Sequence, residues 1–187
     1  SGILHLHLGD EPAKDREVVR ARRVIIAIGR SGEYRKLGVP GERLDKVSNR
    51  LHDPREYAGQ RVIVVGGCDS ALEAAIALTI AGADVLLSYR GASFTRPKPE
   101  NVEKIEALVV DPSANVGVSD PDSERVTTAM TPQMLPEARA KGRLELLFNS
   151  EVSAIDETQV MFKWNDGRAE EKVPNDAVFT MIGREPP

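Results

Sequence analysis

One stretch, residues 61–90, constrains the fold more than any other part of the chain. It begins with an apolar run of β-branched residues, 62–65, which is typical of a strand buried on both faces. After two glycines, residues 71–78 combine strong helix formers with apolar positions at helical spacing, and residues 85–87 form a second short apolar run. The order strand, glycine turn, helix, strand predicts a βαβ unit and therefore a parallel sheet covered by helices.

The glycine turn carries a candidate dinucleotide site. Its pattern G-x-G-x-x-G/A falls on Gly66, Cys68 and Ala71, between a predicted strand and a predicted helix. A pyrophosphate would sit on the helix N-terminus, held by free backbone N–H groups and by the helix dipole. Cys68 stands where a bare backbone would let the pyrophosphate approach, and the alternative is a βαβ unit without a ligand. The candidate residues of the turn are Gly66, Gly67, Cys68, Asp69, Ser70 and Ala71, with Asp69 or Ser70 as the helix cap.

The end of the second strand predicts which dinucleotide binds. An acidic residue there would bind the ribose hydroxyls of NAD, but the sequence is Ser88-Tyr89-Arg90. Arg90, followed by Arg96 and Lys98, supplies positive charge suited to a 2′-phosphate, which Arg binds through paired hydrogen bonds. The sequence therefore favours NADPH, with NADH possible, and Tyr89, Arg90 and Arg96 are the candidate contacts. The alternative is a solvated basic loop.

The overall composition excludes several classes of function. The 187 residues carry a net charge of −4, which disfavours a nucleic-acid or acidic-membrane partner. The apolar runs are far shorter than a membrane span. A single cysteine excludes an internal disulfide, so a reducing cytoplasm is expected. His5 and His7 alternate on one predicted strand, but without a third ligand nearby we predict no metal site.

The remaining segments suggest three parts. Residues 1–30 contain a predicted hairpin whose return strand, 18–28, ends in an apolar run that needs a core elsewhere to bury it. Residues 31–60 have weak periodicity and are predicted to be a linker. Residues 61–183 form the main domain, with a polar surface insertion at 111–131. Within it we expect a helix at 100–109, with Ile105, Leu108 and Val109 toward the sheet. A short helix at 132–140 and a strand at 144–148 are expected to follow. A three-stranded meander at 151–155, 159–164 and 168–173 and a last buried strand at 177–183 complete the predicted domain.

Four stretches, in this order, resemble a known family. Residues 24–29 look like the strand by which such chains leave an FAD-binding domain, and residues 37–42 read LGVPGE, like the linker that follows it. Residues 66–75 are close to a G-G-G-D-S-A-x-E-A-A motif, and residues 176–186 match D-x-V-F-x-x-I-G-x-x-P. Together they resemble the NAD(P)H-binding domain of FAD-dependent pyridine nucleotide oxidoreductases, the thioredoxin-reductase-like flavoproteins. The resemblance covers nearly the whole chain.

This resemblance implies a fold and a chemical role. The fold is a Rossmann-like βαβαβ parallel sheet with an antiparallel three-stranded meander, plus remnant strands of an FAD domain at the ends. The domain would position NADPH for hydride transfer to FAD in the parent protein and would contribute no catalytic residue of its own. Glu73 would lie near the nicotinamide, and Gly183 would end the last strand beside it, where a side chain would obstruct the cofactor. The implied partner is the FAD domain of the same parent chain, and the resemblance is compatible with a homodimer.

The sequence also departs from the family pattern. It lacks a second G-x-G-x-x-G upstream and the G-D motif that would hold a flavin, so the isolated chain is expected to bind no FAD and to be inactive. The C-x-x-C of thioredoxin reductases would fall near Asn49 and His52, which excludes dithiol exchange of that type. The alternative function is a non-catalytic nucleotide-sensing domain in which Cys68 marks a degraded dinucleotide site.

Overall fold

A computed structural model describes residues 3–7, 18–25, 34–116 and 142–184. The chain divides into two units, Ser1–Gly32 with Pro187, and Glu33–Pro186. In the first unit, β1 (Leu4–His7) and β2 (Val18–Ala21) pair as an antiparallel hairpin. The domain limits inferred from the sequence remain a prediction.

The predicted return strand of this hairpin is too long. Pairing ends with Ala21 opposite Leu4, the first residue of β1, and Ile3 before it lies outside the strand. Val24 and Ile25 follow outside any strand, and Ile25 is 90% exposed. Residues 26–28 of the predicted strand lie outside the described residues.

The second unit contains two sheets. A parallel five-stranded sheet has the order β3-β10-β4-β5-β6, and an antiparallel three-stranded sheet has the order β7-β8-β9. This arrangement confirms the predicted fold class. The elements in chain order are β3 (Val47–Ser48), a 3-10 helix (Pro54–Tyr57), β4 (Arg61–Val65), α1 (Asp69–Ile80), β5 (Asp84–Tyr89), α2 (Pro99–Val110), β6 (Arg143–Phe148), β7 (Ser150–Ile155), β8 (Gln159–Trp164), β9 (Glu171–Pro174) and β10 (Ala177–Thr180).

The parallel sheet is buried on both faces. Val62 and Val64 of β4 pack into one apolar cluster with α1 and α2, while Ile63 and Val65 pack into a second cluster with the antiparallel sheet. Alternate side chains of a strand point to opposite faces, so a strand buried on both sides must be apolar throughout. This burial explains the unbroken β-branched run that predicted β4.

The helix after β5 is correctly predicted, but the predicted burial of one of its residues is wrong. In α2, Ile105 and Leu108 are fully buried, whereas Val109 is 40% exposed. Neighbouring helical positions are separated by about 100° around the axis, so Val109 leaves the buried stripe that Ile105 and Leu108 define.

Part of the predicted linker belongs to the sheet. Val47–Ser48 forms β3, the edge strand beside β10, and Leu51 is fully buried in the cluster on the helical face. The 3-10 helix Pro54–Tyr57 follows, capped by Asp53, whose carboxylate accepts a hydrogen bond from the Arg55 N–H. A two-residue strand leaves no periodicity in the sequence, and its partner β10 lies far along the chain, which is why local pattern missed it.

The predicted insertion is described only at its start. Residues 117–131, and the predicted helix at 132–140, lie outside the described residues. Ala114 and Val116 pack against the cluster on the helical face, so the beginning of this segment contributes to the core. Across the part of the chain that the structure describes, no helix is both long and apolar enough to cross a membrane.

Candidate dinucleotide site

The turn between β4 and α1 is closed by backbone contacts that only glycine permits at its first position. Gly66 has a φ of +153°, and an added Cβ would lie 2.5 Å from the carbonyl oxygen of Met181 and 2.9 Å from the Cβ of Ala71. Its N–H donates to the carbonyl of Ser88 at 3.0 Å. The first and last positions of the motif therefore bring the end of β4, the residue that follows β10 and the first turn of α1 into direct contact, which is the packing role that the sequence pattern assigns to them.

Helix α1 begins at Asp69, and its cap is Cys68. The sequence predicted Asp69 or Ser70 in that role, but Asp69 is the first helical residue and Ser70 the second. The Cys68 side chain makes no capping hydrogen bond to the first turn. Its Sγ lies 3.3 Å from the carbonyl oxygen of Met181, so the thiol is turned toward the residue that follows β10. The cap residue therefore gives no side-chain hydrogen bond to the positive end of this helix.

Asp69 instead contacts the start of α2. Its Oδ1 accepts a hydrogen bond from the Lys98 N–H at 2.7 Å and another from the Asn101 side-chain amide at 2.9 Å. Asn101 is buried. A carboxylate at a helix N-terminus is favourable because it meets the positive end of the dipole, so Asp69 stabilises the N-terminus of the second helix.

An aromatic group covers the other side of the turn. The Tyr89 ring fills the space beside Gly67 and Gly91, where an added Cβ would overlap it. Tyr89 stacks on Phe94 at a centroid distance of 5.5 Å, and Phe94 meets Phe148 edge to face at 5.0 Å. The end of β5 is thus fixed against the glycine turn by packing.

The basic loop that follows β5 carries its charges at the surface. Arg90, Arg96 and Lys98 are all exposed, and Ser88, Tyr89 and Arg90 include no acid at the strand end. The carbonyl of Arg90 accepts a hydrogen bond from the Asn165 side chain at 3.1 Å. The loop therefore has a fixed backbone beneath exposed cationic side chains.

The other two predicted residues lie farther along their elements. Glu73 is half-buried in the second turn of α1. Gly183 follows β10, has a φ of +100° and has no atom within 4 Å of an added Cβ. Nothing within the described chain would therefore obstruct a side chain there, so the predicted obstruction concerns only the cofactor. The geometry brings Gly66 against Ala71 and Gly67 against Tyr89, and Cys68 shares the Met181 carbonyl with Gly66. The other candidate residues lie on the adjoining segments: Asp69, Ser70, Glu73, Arg90, Arg96 and Gly183.

Within the described residues, no group of three or more His, Cys, Asp or Glu side chains could hold a metal ion. The N-terminus of α1 and the exposed basic loop follow two neighbouring strands of the sheet, and the backbone of Lys98 joins them through Asp69.

Comparison with known proteins decides the family. The sequence model of the pyridine nucleotide-disulphide oxidoreductases matches residues 13–112, more than half of the chain. The chain belongs to this family of FAD-dependent flavoproteins. Among its relatives are a ferredoxin–NADP reductase of Ignicoccus hospitalis, 42% identical over 86 residues, and the bacilliredoxin reductase Bdr of Bacillus subtilis, 30% identical over 167 residues. These matches cover 46% and 87% of this chain but only 27% and 41% of the relatives.

Solved structures of the family agree with this assignment. The bacillithiol disulfide reductase Bdr from Staphylococcus aureus is 27% identical with a TM-score of 0.64, and the match covers 98% of this chain and 49% of that chain. A thioredoxin reductase from T. acidophilum, at 18% identity and a TM-score of 0.54, shares the fold. The pyridine nucleotide-disulphide oxidoreductase fold thus accounts for the parallel sheet, its helices and the antiparallel sheet.

Three site residues of this family member were not found from the sequence. Met181 contributes its carbonyl to the glycine turn, and Phe94 and Asn101 act through partners on other elements. A backbone oxygen has no sequence signature. Asn101 stands three residues after the cap of α2, but its partner Asp69 lies on another helix, so no local pattern predicts the contact.

Proposed function

We propose that this chain is the NAD(P)H-binding domain of a flavin-dependent reductase and that it prefers NADPH. The observation that carries the proposal is the junction of β4 and α1, where Gly66 lies against the Met181 carbonyl and Ala71, and where the side chain of the cap residue Cys68 makes no capping hydrogen bond to α1. Such a helix N-terminus suits a pyrophosphate because it presents backbone N–H groups and a positive dipole end. The chain's own polar groups fit an anionic dinucleotide.

Each group of predicted residues is assigned to one part of the cofactor. Backbone N–H groups of residues 67–70 would hold the pyrophosphate, while Arg90 and Arg96 would hold the 2′-phosphate through charge-assisted hydrogen bonds. Glu73 and Gly183 would border the nicotinamide. When bound, NADPH would supply a hydride that the FAD of the complete protein accepts, and this chain would orient the donor and exclude water.

The wider context of the complete protein is also proposed. The chain spans less than half the length of the relatives described above, so the FAD domain of the same parent chain is the expected partner, with a homodimer possible. A cytoplasmic location fits the single cysteine.

Cys68 favours one competing function, a nucleotide-sensing domain without catalysis. Its Cβ occupies the middle motif position, where the pattern has glycine. FAD in the complete protein, reduced by NADPH, would support the reductase, whereas a complete protein that binds nucleotide without any flavin would support the sensor.

The selectivity is tested by titrating the 187-residue chain with NADP⁺ and NAD⁺ in a calorimeter. Arg90→Ala should weaken NADP⁺ binding by about 1–3 kcal/mol, the value of a charge-assisted hydrogen bond, and should leave NAD⁺ nearly unchanged. Arg143→Ala is the matched control, because Arg143 is an exposed arginine at the opposite end of the parallel strands, and it should change neither affinity. Equal losses for both dinucleotides in the Arg90 variant would contradict the proposal.

A further inference from the structure

The side chain of Asp69 links the two segments that the proposed function assigns to the two phosphate groups. Asp69 lies in the first turn of α1, directly after the glycine turn, yet its Oδ1 accepts both of its hydrogen bonds from the start of α2. One donor is the backbone N–H of Lys98, where the basic loop ends. The other is the side chain of Asn101, which is only 6% exposed.

The same loop is held at its other end and at its middle. The Arg90 carbonyl accepts from the Asn165 side chain at 3.1 Å, and the Gly91 carbonyl accepts from the Asn149 N–H at 3.0 Å. Phe94 packs against the core cluster on the helical face of the sheet and stacks on Tyr89. Asp69 supplies the attachment at the far end, and its hydrogen bonds join the end of the loop to the residue that directly follows the glycine turn.

These contacts give Asp69 a role beyond its own helix. We propose that Asp69 is a positioning residue that fixes the basic loop, residues 90–98, against the dinucleotide turn and thereby creates selectivity for the 2′-phosphate. This inference rests on the proposed function, since it assigns Arg90 and Arg96 to that phosphate. Asp69 does not touch the phosphate in this scheme; it acts through the backbone of Lys98 and through Asn101.

The physical reason is preorganisation. Fixing the backbone of a mobile residue costs about 1–2 kcal/mol, and a loop that is already ordered avoids this cost when its side chains bind a ligand. NADP⁺ would use the loop, whereas NAD⁺ lacks the 2′-phosphate and would not. Loosening the loop should therefore weaken NADP⁺ selectively, while a general loss of structure would weaken both dinucleotides.

The direction of the carboxylate also matters for the pyrophosphate. A negative charge in the first turn of α1 would repel an anion bound at the same helix end. Because the Oδ1 of Asp69 is engaged by two donors from α2, the charge is drawn toward that helix. One side chain thus serves the N-terminus of α2 and stays compatible with an anion at the N-terminus of α1.

The test compares Asp69→Ala with Asp69→Asn by calorimetric titration with NADP⁺ and NAD⁺. The alanine variant removes both hydrogen bonds and should lower the ratio of NADP⁺ to NAD⁺ affinity by about tenfold, the loss expected from one charge-assisted contact made less effective. The asparagine variant keeps an amide oxygen that can accept from both donors, so its affinity ratio should stay within about threefold of the wild-type ratio. Any gain from removing the negative charge should act on both dinucleotides and cancel in the ratio.

Arg90→Ala and the double variant separate this inference from the proposed function. If Asp69 acts through the loop, Asp69→Ala should change the ratio less in the Arg90→Ala background than in the wild type. If Arg90→Ala alone lowers the ratio, and Asp69→Ala does not, only the positioning role of Asp69 is wrong. If neither variant changes the ratio, or the wild type binds neither dinucleotide, the proposed selectivity fails as well.

Asn101→Ala decides the question should Asp69→Ala fail to fold. It removes one of the two donors and leaves the carboxylate in place, so the affinity ratio should fall in the same direction by a smaller factor. An unchanged ratio in a folded Asn101→Ala protein would overturn the inference.

Discussion

The two ends of the parallel strands are closed by different means. At the end where β4 and β10 begin, Arg61 and Asp176 form a bidentate ion pair with a shortest distance of 2.7 Å. The Arg61 N–H also donates to the Asp176 carboxylate at 2.8 Å, and Lys46 donates to the side chain of Asn175 at 2.9 Å. Side chains of the chain itself satisfy the polar groups at this end.

The end where the same strands finish is closed by close backbone contact. Gly66 lies against the Met181 carbonyl and Ala71, and the Tyr89 ring lies against Gly67. Helix α1 starts here with Cys68 as its cap and no capping hydrogen bond from that side chain. The comparison teaches that charged side chains of the chain pair with one another at one end of the strands. At the other end lies the positive N-terminus of α1, where we propose that a dinucleotide binds.

The largest expected effect is that of Gly66→Ala, a substitution at the closely packed end of the parallel strands. A Cβ there would be forced against the Met181 carbonyl at 2.5 Å in a backbone conformation that disfavours side chains. We expect a loss of about 2–4 kcal/mol in the free energy of unfolding, measured by urea denaturation, because backbone strain and overpacking add.

Gly59→Ala is the matched control for this prediction. Gly59 precedes β4 at the opposite end, has a φ of +75° and has no atom within 4 Å of an added Cβ. Its substitution carries the conformational cost alone and should cost about 1 kcal/mol. If both alanine variants lose the same stability, the close approach at Gly66 contributes nothing.

A smaller effect is expected from Cys68→Gly, which tests the motif position itself. The thiol is turned toward the Met181 carbonyl, but the Cβ stays at the position where the pattern has glycine. Removing it should tighten NADP⁺ binding by about tenfold, or 1.4 kcal/mol, as measured by calorimetry. Cys68→Ser keeps the Cβ and should not tighten binding, and a glycine variant that binds no better than the wild type would disprove crowding at this position.

The smallest effect concerns the ion pair at the opposite end. Hydrogen bonds from Arg61 lower the pKa of Asp176 from 3.8 to about 2. A carboxyl group with a lowered folded-state pKa stabilises the fold above its ordinary pKa, and this contribution is lost as the pH falls from about 4 through about 2.

The measurement for this prediction is the free energy of unfolding of the wild type and of Asp176→Asn between about pH 6 and pH 2. Because both side chains are more than a third exposed, solvent screening limits the difference to about 0.5 kcal/mol at the upper end. The two proteins should converge at the lower end. Glu145→Gln, which breaks a more exposed pair with Arg143, is the control, and a gap that persists at pH 2 would contradict the assignment.

Local pattern predicted the fold where neighbouring residues carry the signal. The strands β4 and β5, the helix between them and the antiparallel sheet all follow from short periodic segments. The edge strand Val47–Ser48 does not, since only its pairing with β10 makes it a strand. The wrong orientation of Val109 shows a second limit, because the edge of a helix's buried stripe depends on the elements that pack against it.

The candidate site divides in the same way. Its motif residues are adjacent in sequence and were found there, and their role in binding stays a prediction. The contacts of Asp69 with Lys98 and Asn101 span 29 and 32 positions, so the sequence suggested a cap for its own helix instead. Tertiary contacts between two helix N-termini leave no periodic trace.

Amide hydrogen exchange with and without NADPH tests the central claim most directly. The claim predicts extra protection at the amides of residues 67–70 and 90–96, beyond the uniform slowing that any bound ligand gives to amides exchanging by global unfolding. The amides of Arg61 and Asp176, already hydrogen-bonded at the opposite end, should show only that uniform change. Extra protection at the Arg61–Asp176 end, or none at the glycine turn, would contradict the account.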